Sequence, residues 1–226
     1  MKKKVISTEL AYVLGLIALA IGAALMTKAN FGITMTLAPS FVIHEKLAPM
    51  LPSWLTQGTL EYIWEGILLL TMMLIVRRAK WSYLFAFVTA VIFGYMLDGC
   101  NALAAYLPLS TLWRYVYFAF GVLFCSTGVA LVFRTYISPL VHEMIIKEIA
   151  SKFKVPAHRV KLGYDIFCCS SSIILSLCFF GAISDYIGWG TVVCAFVNGL
   201  LIGRISKLFD RVEWKDSLPF RPIFDK

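Results

Sequence analysis

The chain has 226 residues, 60% of them hydrophobic and 15% charged, with a mean hydropathy of +0.80 and a formal net charge of +8. That much apolar surface exceeds what a single water-soluble core of this size can hide, which excludes an ordinary soluble domain and makes lipid the solvent. The positive charge suits anionic lipid headgroups and gives no reason to expect a nucleic-acid partner.

A hydrocarbon core of about 30 Å is crossed by roughly 20 helical residues. Runs of that length predict six transmembrane helices, at about Leu10 to Thr27, Leu60 to Val76, Trp81 to Leu103, Leu112 to Phe133, Val160 to Phe180 and Tyr186 to Ile205. Lys2, Lys3 and Lys4 precede the first run as they would in a signal peptide. The run is too long for such a segment, lacks a small-x-small cleavage site followed by a polar start, and recurs later in the chain, so it stays as a helix.

The connection from Phe31 to Leu51 is half apolar, contains Pro39, Pro49 and His44-Glu45, and exceeds the about 2 to 8 residues that usually join antiparallel helices. Its counterpart from Ile137 to Ala150 opens on Ser138-Pro139, a good helix start, with His142-Glu143 on one side and Met144, Ile145 and Ile149 on another. Each predicts a short helix that lies at the interface or dips back into the protein. Irregular backbone at membrane depth survives only where protein or a wet cavity surrounds it, so a dipping helix implies a cavity. The four polar residues His44, Glu45, His142 and Glu143 are expected to be solvated rather than to act as ligands.

The chain is a tandem repeat. Gly15 to Lys28 (GLIALAIGAALMTK) reappears as Gly121 to Arg134 (GVLFCSTGVALVFR), superposing Gly15 on Gly121 and Gly22 on Gly128, with both copies ending on a cation. At nearly the same displacement Thr89 to Gly94 (TAVIFG) falls on Cys194 to Gly199 (CAFVNG). So long a unit excludes short-period solenoids and propellers. The reading is one membrane domain with repeat 1 at about 8–108, repeat 2 at about 112–207 and a basic tail over 208–226. Three helices per half is an odd number, so the second copy enters from the opposite side, and the expected fold is all-α with two inverted-topology repeats.

Six helices put both termini on one side, and eighteen of the 21 Lys and Arg residues fall there, leaving Lys28, Lys46 and Arg114 for the other. Cations gather on the cytoplasmic side, so both termini are expected to be cytoplasmic. The six cysteines (Cys100, Cys125, Cys168, Cys169, Cys178, Cys194) lie almost all inside the apolar runs with no CxxC, and read as small packing residues rather than disulfides.

Several motifs carry a family resemblance: Lys28-Ala29-x-x-Gly32 closing the first helix, Ser138-Pro139-x-x-x-Glu143, the basic-then-acidic start Arg159, Lys161, Asp165, and Trp189-Gly190-Thr191. They resemble the YczE/YyaS/YitT-like family of bacterial integral membrane proteins over about residues 8 to 207. The departure is Gly32-Ile-Thr-Met-Thr, where the pattern would have Gly-x-Ser/Ala-Pro-Trp-Asp. The resemblance implies a small inner-membrane protein and supplies no activity.

Carboxylates at membrane depth are costly and normally face the bundle, paired. Glu65 and Asp165 sit at similar depths in the second and fifth helices, preceded four residues earlier by Glu61 and Lys161. The expected partners are the cations closing the preceding long helices, Lys28 for Glu65 and Arg134 for Asp165. Each pair reads either as a gate or as a structural clasp. Asp98, with Asn101 one turn on, is a candidate for a wet cavity, and Asn198 for either a ligand or a hydrogen bond between helices. Gly15, Gly22, Gly121 and Gly128 predict a close helix crossing, and Gly199 and Gly203 a further packing face or a dimer interface.

No catalytic signature is present, no cofactor is indicated, and three scattered histidines do not suggest a metal cage, so an enzyme is not expected. The leading expectation is a small permease for a small organic metabolite, alternating access between its repeats. A non-transporting scaffold that docks a membrane partner through Trp214, Pro219, Phe220, Pro222 and Phe224 is the alternative, as is a substrate-capture subunit of a multicomponent importer.

Overall fold

A computed structural model describes residues 5–50, 52, 54–77, 80–137, 140–155, 157–183, 187–210 and 212–216. Six long helices are α1 (Thr8–Ala29), α3 (Gln57–Val76), α4 (Trp81–Ala105), α5 (Thr111–Val132), α7 (Ala157–Phe180) and α8 (Trp189–Phe209). All six are long and apolar enough to cross a membrane, the architecture of a multi-pass membrane protein. Their bounds fall within a few residues of those read from hydropathy. Two short helices, α2 (Ala38–Leu47) and α6 (Val141–Phe153), occupy the two connections in which short helices were expected. Ser138 and Pro139 lie outside the described residues, and α6 begins after Leu140.

The centre of the bundle is the crossing of α1 and α5. A methyl group on Gly22 would stand 2.6 Å from Cys125 Sγ and 2.8 Å from the Gly121 carbonyl, and one on Gly15 would stand 3.1 Å from the Gly128 carbonyl. Small residues thus let the two backbones touch, which is how helices associate in lipid, where no hydrophobic effect drives them together. Gly15 meets Gly128 while Gly22 meets Gly121, so α1 and α5 run antiparallel. Around this crossing α4 packs on α1 and α8 on α5. The short helices cross over: α2 packs on α7 of the second half, and α6 on α3 of the first.

α3 and α4 approach so closely that a methyl on Gly58 would stand 2.0 Å from the Gly94 carbonyl. Asp98 of α4 locks this junction by accepting the Gly58 backbone N–H at 2.8 Å and the Thr56 hydroxyl, capping the start of α3. In the second half, a methyl on Gly163 of α7 or on Gly199 of α8 would meet no described atom within 4 Å. Gly203 is equally bare. The expectation that Gly199 and Gly203 pack helices together therefore fails within the chain, because α8 rests on α5 through its other side and leaves these glycines open.

At the end of the bundle that carries the termini, β1 (Val5–Ser7) pairs in parallel with β2 (Glu213–Lys215), and Thr8 donates to Asp216 at 2.9 Å. Trp214, expected to be part of a docking tail, instead folds back edge-on against Phe209 and donates to its carbonyl at 3.1 Å. Pro219, Phe220, Pro222 and Phe224 lie outside the described residues. The described cysteines form no disulfide.

Replacing Gly22 by Leu should lower stability by about 1–3 kcal/mol or more through overpacking, whereas Gly199→Ala should stay within about 0.5 kcal/mol of the parent. The midpoint of thermal unfolding in detergent reads both. Asp98→Ala, which removes the bond to the Gly58 N–H and leaves Thr56 as the remaining cap of α3, should cost about 1–2 kcal/mol in the same measurement.

Candidate functional site

α2 and α6 enter the bundle from opposite ends and stop halfway. Lys46, near the C-terminus of α2, donates to the Phe179 carbonyl at the C-terminal end of α7 at 2.9 Å, so α2 ends at the face away from the termini. Lys152, near the C-terminus of α6, donates to the Ile75 carbonyl, so α6 ends at the face carrying the termini. The two N-terminal tips therefore point inward. Leu37 and Leu140, the residues before each helix, share one buried apolar cluster.

What the tips meet is a pair of glutamates on α3. Glu65 lies eight residues into a helix of 20, about 12 Å along a length of about 30 Å, close to mid-depth. Glu61 lies one turn nearer the N-terminal end of α3, on the same face. Ser40, at the tip of α2, sits 2.9 Å from the Leu37 carbonyl and donates its hydroxyl to Glu61 Oε2. His142, at the tip of α6, brings Nε2 to 3.4 Å from Glu61 Oε1 and 3.3 Å from Glu65 Oε1. Its other ring nitrogen lies 2.5 Å from the Tyr164 hydroxyl of α7. Glu61, Glu65 and His142 are 1%, 0% and 3% exposed, so the cluster is sealed from solvent. Among the described residues, neither oxygen of Glu65 accepts a hydrogen bond.

Helix N-termini carry unsatisfied N–H groups and the positive end of the helix dipole, so carboxylates at such tips are electrostatically complementary. Two carboxylates and one imidazole still leave a charge balance that burial makes expensive unless a proton or another cation completes it.

Two cavities flank the tips. The larger, about 890 Å³, opens at the face away from the termini and is lined by Lys28, His44, Glu45, Asp98, Asn101 and Arg114 among others. The smaller, about 130 Å³, lies between the halves, where Thr34 to Leu37 face His142, Glu143, Asp165, Asn198 and Gly199.

The expected acid–base couples are not formed. Lys28 donates to the Ala105 carbonyl at 3.0 Å, and Glu65 is held by His142. Arg134 donates to the Ser206 carbonyl at 2.8 Å and to Asp210, while Asp165 pairs within its own helix with Lys161 at 3.5 Å. The reason is common to both cations. A helix ends with unsatisfied carbonyls, and a cation there caps the neighbouring helix instead of reaching down to an acid in mid-membrane. Arg114 does the same for α1, donating to Ala29 and Asn30 carbonyls at 2.7 and 2.9 Å.

Asp98 does border a cavity, as expected of it, and also serves as a cap. Asn198 accepts from Ser126 at 2.9 Å, joining α8 to α5, and lines the smaller cavity. His44 and Glu45 are half-buried in the cavity wall. His142 overturns the expectation of a solvated residue. It occupies the buried tip of α6, and its partners Glu61, Glu65 and Tyr164 come from two other helices. Glu61 was visible only as a neighbour of Glu65, and Ser40 and Tyr164 gave no signal. The one pointer was the Ser138-Pro139 start of the second connection, which foretells a helix tip without saying where it is aimed.

The motif residues also find each other. The Thr191 hydroxyl accepts the Ile33 N–H at 3.2 Å, Gly190 N–H donates to the Phe31 carbonyl at 2.9 Å, and Gly32 adopts a φ of 139° against Thr191. A side chain at Gly32 would be strained and would strike the Thr191 backbone nitrogen at 2.3 Å. Gly32 and Trp189-Gly190-Thr191 thus form one joint that anchors the irregular segment leading to α2.

No curated protein and no solved structure matches the chain. A family profile covers residues 6–207, from β1 to the last turns of α8. The chain therefore belongs to the family of unknown function DUF6198.

Proposed function

We propose that the protein is a small permease of the bacterial inner membrane, in which two inverted three-helix repeats alternate access to a site at mid-depth. The observation that carries this reading is the meeting of two half-length helices, entering from opposite ends, at a buried ionisable cluster with a cavity on either side. Interrupted helices whose tips converge at the midplane are the usual binding architecture of secondary transporters. Non-helical backbone at such depth is tolerated where it borders a cavity, as the segment from Thr34 to Leu37 does.

The halves differ in a way that alternation would use. Gly58 and Gly94 are in contact, closing α3 against α4, while Gly163 and Gly199 each face open space and α7 stands open against α8. In an inverted repeat these are two positions of one joint, and exchanging them turns the protein from one face to the other. The larger cavity would admit a small organic metabolite from the face away from the termini. The charge bias places that face outside and both termini in the cytoplasm.

Purified protein in liposomes should move at least one member of a broad panel of small metabolites under a proton or sodium gradient. In a background without native cysteines, Gly163→Cys with Gly199→Cys should cross-link on oxidation and stop that flux. Absence of counterflow for every member, with the protein folded, would remove the transport reading, and failure of the pair to cross-link in membranes would remove the alternation.

A green fluorescent protein fused after Lys226 should fluoresce in cells, and alkaline phosphatase at the same position should be inactive. The reverse pattern would invert the proposed orientation.

A further inference from the structure

We propose that Glu61, Glu65 and His142 form a binding site for a divalent transition-metal ion at the centre of the bundle. The ligands are one oxygen from each carboxylate and Nε2 of the imidazole. The inference goes beyond the permease reading and does not depend on it, since binding is measured without transport.

The three ligand atoms lie within 4.8 Å of one another. Around an ion with metal–ligand bonds of about 2.1 Å, tetrahedral ligands stand about 3.4 Å apart. The separations from His142 Nε2 are 3.4 Å to Glu61 and 3.3 Å to Glu65. Two ligands one turn apart on one helix and a third from a facing helix tip make a three-point set, leaving a fourth position for water or a substrate group.

The surroundings prepare these atoms for a metal. The Tyr164 hydroxyl, 2.5 Å from His142 Nδ1, can take that nitrogen's proton in a hydrogen bond and leave the Nε2 lone pair facing the carboxylates. Ser40 occupies Glu61 Oε2, so Oε1 is the oxygen turned to the site. Glu65 is wholly buried, and beyond the 3.3 Å approach of His142 neither of its oxygens accepts a hydrogen bond from a described residue, which leaves them acceptor capacity for an ion. A dipositive ion with two carboxylates and a neutral imidazole is charge-neutral, which suits mid-membrane depth. The mixed nitrogen and oxygen set selects zinc, manganese or iron(II) over calcium and magnesium, which take six or more oxygens.

The test uses the full chain, purified in detergent, stripped with a chelator and titrated with Co²⁺. Stoichiometric uptake, with ligand-field absorption bands of a low-coordinate site that Zn²⁺ bleaches and Mg²⁺ or Ca²⁺ does not, is the expected result. Glu65→Gln should abolish the bands, and Tyr164→Phe, which leaves all three ligands in place, should weaken binding by about 10- to 100-fold. Thermal unfolding shows whether Glu65→Gln is folded; if it is not, the parent protein and Tyr164→Phe decide. Absence of stoichiometric Co²⁺ from the folded parent overturns the proposal and leaves protons alone to balance the cluster. Equal binding by a folded Glu65→Gln overturns it as well.

Discussion

Two helix tips meeting in the middle of a lipid-facing bundle impose the constraint that organises this molecule. Each tip presents unsatisfied N–H groups and a positive dipole end, and neither can be left bare at that depth. α3 answers with Glu61 and Glu65, one turn apart, so a single helix of the first half serves the tip of α2 from its own half and the tip of α6 from the other. The second half has no matching acid pair. Lys161 and Asp165 stand at the corresponding depth and pair with each other.

The α1–α5 crossing gives these tips a fixed frame. With glycine against glycine, the backbones touch, and a side chain there would force them apart. The cations near the ends of the long helices hold the rim by capping neighbouring helices: Lys28 on α4, Arg114 on α1, Arg134 on α8. A ring of such contacts leaves the interior acids to be served by the short helices.

One half of the protein is tighter than the other. α3 and α4 are fastened by Gly58, Gly94 and the Asp98 cap, whereas α7 and α8 stand apart with Gly163 and Gly199 bare. Near-equal sequence patterns have thus settled into two packings. The two junctions differ in their residues: the tight one has a carboxylate that bonds a helix N-terminus, and Asp165 of α7 is instead turned to Lys161.

Hydropathy and internal repetition were enough to establish six membrane-length helices, two short ones and the glycine crossing. These depend on the period of one helix and on small residues at fixed spacing, which are local properties of the chain. The partners of the buried acids were not legible in the same way. Lys28 and Arg134 close the long helices that precede those bearing Glu65 and Asp165, yet both are spent on helix ends. His142 reaches Glu61 across 81 residues, because α6 is turned inward and laid against the other half. Which way a short helix points, and which helix of the opposite repeat it leans on, is decided by how the two halves pack together, and only the folded bundle contains that information.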